Sequence, residues 1–208
     1  MIIAVDGPAA AGKGTLARAL ARRYNFHFLD TGALYRMVGL AVLKAGKDPK
    51  DEAAALAAAR GLKPDLMHEQ DLRAEDVAAA ASIVAANLKV REALLGFQRQ
   101  FAQRQPGTVL DGRDIGTVVC PDAEAKIFVT ASPQVRAERR HAELAERGEA
   151  PSFDTVLADI HARDERDRTR AHAPLIPAKD AYVLETSQMT REQALNAAVA
   201  YVEMRRTR

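Results

Sequence analysis

Short apolar runs rich in β-branched and aromatic residues punctuate the chain at 2–5 (IIAV), 26–29 (FHFL), 108–110 (TVL), 126–129 (KIFV) and 182–184 (YVL). Each ends in a turn or a polar group, as a buried strand does. Between them apolar positions recur at helical spacing over roughly 13–24, 32–45, 75–105 with a break, 132–147, 152–170 and 190–206. Strand alternating with helix predicts an α/β fold, a parallel sheet covered on both faces. Two helix starts have local support: Ser132 precedes Pro133, and Thr190 precedes Glu192 and Gln193. The tracts AAALAAA and VAAAASIVAA read as helix with a small-residue packing face. The stretch 46–74 is more polar and holds Pro49 and Pro64, so it is expected outside the sheet, as a small inserted lobe.

Composition narrows the class. A chain of 208 residues suits one domain with a substantial core. Lys+Arg 30 against Asp+Glu 28 gives a net charge of +2, and no long basic run argues for nucleic acid. The single Cys120 forms no internal disulfide, and the five histidines lack metal-site spacing, which fits a reduced, cytoplasmic chain. No export signal is indicated, and no stretch approaches the ~20 apolar residues of a membrane span. A monomer is expected, since no long exposed apolar stripe is visible.

The first predicted strand runs into GPAAAGKGT and then into a helical pattern. A glycine-rich turn in that context aims successive backbone N–H groups at one point, and the helix start adds partial positive charge. Gly7, Pro8, Ala9, Ala10, Ala11, Gly12, Lys13, Gly14 and Thr15 therefore form a candidate cradle for ATP, with Lys13 reaching the outer phosphates. The usual loop has Ser or Thr directly after the lysine, whereas here Gly14 stands there and Thr15 follows. If a loop hydroxyl serves Mg²⁺ it is Thr15, directly or through water. Asp111 ends a predicted strand where α/β sheets present ligands, as a direct or indirect Mg²⁺ carboxylate or as a plain turn residue. Asp30 stands in the same relation and equally well caps the next helix. There is no NKxD stretch for reading guanine.

All but one of residues 163–170 (RDERDRTR) are charged. On a helix Arg163, Asp167 and Arg170 share one face, Arg166 neighbours it and Arg168 points away. Taken alone this is a solvated face with surface pairs. Beside a phosphate loop the same face offers cations to an anionic ligand, with Arg166 and Arg168 as candidate donors to ATP phosphates.

In order and approximate spacing, GPAAAGKGT, LDTGALYR (29–36), VREALLGFQRQF (90–101), LDGRDIGTVV (110–119) and RDERDRTRAHAPL (163–175) resemble bacterial cytidylate kinases, which phosphorylate CMP and dCMP. The resemblance covers nearly the whole chain. It implies a P-loop NTPase three-layer sandwich with a central five-stranded parallel sheet. To this core, about 1–31, 88–147 and 171–208, it adds a monophosphate-binding lobe at about 32–87 and a short helical lid at about 148–170. It also implies transfer of the γ-phosphoryl of Mg·ATP to CMP or dCMP, in pyrimidine nucleotide metabolism.

Carried over by motif, the resemblance puts Arg36, Arg113 and Arg170 around the substrate phosphate. Ser82, Arg91 and Asp114 fall at the base, and Arg163 and Asp167 near the sugar. Lys13, Arg113, Arg163 and Arg170 are the implied catalytic set. The chemistry is coherent: a carboxylate at Asp114 accepts from the cytosine C4 amino group, while uracil would meet it with a second acceptor. Plainer readings remain beside it, with Asp114 as a loop cap, Ser82 as a small packing residue and Arg36 and Arg91 as surface arginines. Tyr35, Cys120 and the histidines read as structural. Against many relatives the lobe is short, and LKPDLMHEQDLRAEDV leaves room for at most a brief hairpin. The rivals are a kinase for UMP, AMP or shikimate, or a P-loop switch that hydrolyses nucleotide slowly.

Overall fold

The structure is a computed structural model and describes residues 1–63, 69–72 and 74–207. Five parallel strands, β1 (Ile2–Asp6), β2 (His27–Asp30), β3 (Thr108–Gly112), β4 (Ala125–Thr130) and β5 (Tyr182–Glu185), form one sheet in the order β2-β3-β1-β4-β5. Among the described residues every strand pairing is parallel, with Ile3 level with Val109 and Ala125, and Asp6 level with Gly112 and Phe128. The strand order reverses at β1, so the phosphate loop that follows β1 opens at the topological switch point of the sheet.

Side-chain alternation sorts the two faces. Ile3, Val5, Val109, Ile127 and Val129 point to the face covered by α1 (Lys13–Tyr24) and α8 (Arg191–Arg206), against Leu16, Leu20, Ala198 and Val202. Ala4 and Leu110 point the other way, against Ala102, Ile115 and Val119. A fully buried side chain such as Leu20 contributes about 1.5–3 kcal/mol relative to exposure. α1 stops where Asn25 turns left-handed at φ 52° and its N–H caps the carbonyls of Ala21 and Arg22.

α2 (Thr31–Lys44), α3 (Glu52–Arg60), α4 (Glu75–Val84) and α5 (Leu88–Ala102) pack around Leu34, Val38, Ala55, Ala81, Val84 and Leu94. The polar 46–74 stretch thus contains α3, the helix its Ala-rich tract predicts, and its described residues lie outside the sheet. The expected break in 75–105 falls at 85–87, where the Asn87 side chain accepts from the N–H groups of Lys89 and Val90 and starts α5. The expected hairpin falls partly on residues outside those described; within the described part, a 3-10 turn (Glu69–Leu72) precedes α4. α6 (Pro133–Glu146) and α7 (Phe153–Thr169) form a helical pair whose Ala137, Leu144, Val156 and Ile160 close on Ala9 of the phosphate loop. Ser132 and Thr190 cap their helices as predicted, the latter in a full capping box with Gln193. Among the described residues no helix is long and apolar enough to cross a membrane.

Candidate active site

The phosphate loop is held from below. Gly7 is buried at φ +152°, and a Cβ there would lie 2.0 Å from the Val129 carbonyl oxygen, so β4 admits only glycine. Ala10 (φ 57°) and Gly12 (φ 89°, the cap of α1) turn left-handed, and no acidic residue occupies the first turn of α1. Ala9 through Thr15 line a cleft of about 1050 Å³. Gly7 and Pro8 are buried behind that surface and shape the loop.

Lys13 Nζ lies 3.7 Å from Asp111 Oδ1. Burial pulls the lysine down to about 8, with Arg113 adding to the effect and Asp111 opposing it. Burial pushes the Asp111 carboxyl above its usual range against the pull of Lys13. Asp111 Oδ1 is buried with no hydrogen-bond partner. A Cβ on Gly14 would sit 3.0 Å from Asp111 Oδ2, so this carboxylate fills the space that a side chain after the lysine would need. Thr15 is exposed on the cleft wall.

Asp30 resolves as a cap and a strut: Oδ1 accepts from Ala33 N at 3.0 Å, and Oδ2 accepts from Arg36 Nη2 at 2.7 Å. Across the cleft, Arg113 Nε donates to Asp167 Oδ2 at 2.6 Å. Burial raises the Asp167 carboxyl, but Arg113, Arg163 and Arg170 outweigh it and hold the carboxyl below the usual range. Burial lowers Arg163 to about 10, helped by Arg113, and lowers Arg170, helped by Arg91. Arg163 Nε and Arg170 Nη2 are buried without hydrogen-bond partners. Cations crowded out of water with spare donors suit an anionic ligand.

Deeper in the cleft, Arg91 Nη1 donates to the Ala85 carbonyl at 3.1 Å and Nη2 pairs with Asp114 Oδ2. The guanidinium carbon lies 5.6 Å from the Tyr35 ring centroid, so Tyr35 is core on one side and cleft floor on the other. Ser82, buried on α4, accepts from Arg166 Nε at 3.3 Å, which carries α7 across the cleft to α4. Arg140 of α6 makes a second bridge, to Glu75 of α4. Arg166 and Arg168, the two candidate donors to ATP phosphates, are both exposed, and Arg168 pairs with Glu165 on its own helix.

Three residues escaped the sequence reading. Arg136 is buried; it donates to the Ala9 and Ala131 carbonyls and makes a bidentate pair with Asp164 of α7. Arg139 donates to the Ala11 carbonyl and to Thr186. Asp6 accepts from Ile115 N and Gly116 N, both at 2.8 Å. Arginines three apart on an amphipathic helix read as solvated, and a strand-end aspartate reads as the start of a turn.

A β1–loop–α1 unit at the switch point of a parallel sheet, with a largely buried lysine and an arginine-walled cleft, defines a P-loop nucleotide-binding protein. The cytidylate kinase family model matches residues 3–204. The chain is 57% identical over 208 residues to a cytidylate kinase of Nitrobacter winogradskyi, covering 100% of this chain and 98% of that one. It is 58% identical over 206 residues to a cytidylate kinase of Xanthobacter autotrophicus, covering 99% of each. Among solved structures it resembles a shikimate kinase from Bacteroides thetaiotaomicron in fold, with a TM-score of 0.51 at 17% identity, covering 98% of this chain and 97% of that one. The chain belongs to the cytidylate kinase family.

Proposed function

We propose that this protein transfers the γ-phosphoryl group of ATP to CMP or dCMP, giving ADP and CDP or dCDP. The observation that carries the reading is the buried Asp114, paired with Arg91 in the same cleft as the phosphate loop and Ser82. A carboxylate there accepts from the cytosine C4 amino group, with Ser82 and Arg91 donating to the ring nitrogen and carbonyl. The donor triphosphate lies over Ala9–Thr15 with Lys13 on its outer phosphates. Arg36, Arg113 and Arg170 take the acceptor phosphate, and Arg163 and Asp167 meet the sugar and the moving group.

A CMP phosphate oxygen attacks the γ-phosphorus in line, and the bond to the β–γ bridging oxygen breaks, leaving ADP. The acceptor is already anionic, so no general base is required; positioning and charge neutralisation do the work. Residues 148–170 act as a lid and 32–87 as the acceptor lobe, and closure with both nucleotides bound keeps water from the γ-phosphoryl.

The residues fit Mg²⁺: Asp111 offers a buried oxygen without a hydrogen-bond partner, and Thr15 an exposed hydroxyl. These two would hold the ion, which would supply charge neutralisation at the phosphates. ADP production by purified protein with CMP, dCMP, UMP, AMP, shikimate or no acceptor tests the reading. Strong turnover with CMP and dCMP alone supports it; equal slow turnover in every tube contradicts it.

A further inference from the structure

We propose that Asp6 is a positioning residue for cytosine recognition, capping the turn after Asp114 so that the Asp114 side chain is left free for the base. The proposal rests on the reading of Asp114 given above.

Residues Ile115–Val119 form a π-helical turn, and Asp114 is its N-cap in backbone terms. The Asp114 carbonyl accepts from Val118 N and Val119 N. An aspartate in that position ordinarily bends its own carboxylate back onto the first N–H groups of the helix. Here no such side-chain bond exists. The first two N–H groups of the turn, from Ile115 and Gly116, go to the two carboxylate oxygens of Asp6, 109 and 110 residues away.

Asp6 reaches them because it is the last residue of the central strand, level with Gly112 and on the same face as Ala4, beneath the turn. It is 6% exposed and forms no salt bridge among the described residues. Burial pushes its carboxyl up to about 7, with the two N–H groups opposing and Asp114 and Asp111 adding to the rise. An unpaired buried carboxylate is costly, and what it does here is take over the capping task of Asp114. Asp114 is thereby turned to Arg91 and the cleft.

The test is Asp6→Asn, which keeps the shape but offers one acceptor where two N–H groups arrive. We expect KM for CMP to rise about tenfold and the CMP:UMP ratio of kcat/KM to narrow by a similar factor, with KM for ATP unchanged. In an Asp114→Ala background the same substitution should no longer change the CMP:UMP ratio. A parallel rise in both KM values, or full discrimination retained in D6N, overturns the proposal. Absence of CMP preference in the wild type would instead remove the underlying reading of Asp114. If D6N does not fold, amide exchange in the wild type decides: slow exchange at Ile115 and Gly116, with and without CMP, is expected, and fast exchange overturns the proposal.

Discussion

Arg91 and Asp114, 23 residues apart in the chain, form a buried hydrogen-bonded ion pair at the inner end of the cleft. The carboxylate that meets the cytosine amino group in the proposed function is therefore already oriented before substrate arrives. Asp114→Asn presents an amide that accepts from cytosine in one orientation and donates to uracil in the other. The CMP:UMP ratio of kcat/KM should narrow about tenfold to a hundredfold, through loss with CMP and gain with UMP. Steady-state kinetics with both acceptors checks this.

The unpartnered nitrogens of Arg163 and Arg170 predict a trade between stability and activity. Arg163→Met removes a cation whose burial holds it at about 10, beside Arg113. In anion-free buffer its Tm should equal or exceed that of the wild type, while kcat falls about a hundredfold to a thousandfold. Sulfate should raise the wild-type Tm more than that of the variant. Thermal unfolding with and without sulfate, alongside kinetics, reads both effects.

Arg136 joins the phosphate loop to α7 through the Ala9 carbonyl and Asp164. Arg136→Met leaves two carbonyls and a carboxylate without their donor, and should cost about 3 kcal/mol in urea unfolding. Arg136→Lys, with charge but no fork, should fall between. In both, kcat should fall more than KM for CMP rises, because the loop and Arg163 lose their common support.

Lys13 gives a pH signature. Its value of about 8 lies below the 10.5 of a free lysine. Between those values the unfolded chain holds a proton that the folded protein lacks, so this group makes stability rise with pH in that window. Bound phosphates favour the ammonium and reverse the shift. Metal-free ADP binding near about pH 9 should therefore take up a proton, seen by calorimetry in buffers of different ionisation enthalpy. In Lys13→Arg the uptake should vanish.

Much of this architecture is written in local pattern. The strand at 2–5 and the loop GPAAAGKGT show in composition and order, because a buried parallel strand must be apolar and a phosphate turn must be small. Ser132 and Thr190 were legible as caps since capping is settled within four residues. Arg136 and Asp6 were not, because their partners lie far along the chain: Asp164 for one, Ile115 and Gly116 for the other. Asp30 was ambiguous for the same reason, and only its contacts with Ala33 and Arg36 separate cap from ligand. That Arg163, Asp167 and Arg170 share one helix face followed from spacing, but that Arg166 would cross to Ser82 did not.

The most direct test of the central claim follows the phosphoryl group itself. With ATP labelled at the γ-phosphate, the account predicts that label appears in CDP when CMP is present and stays in ATP when CMP is omitted. Release of label as inorganic phosphate at the same rate with and without CMP would contradict it.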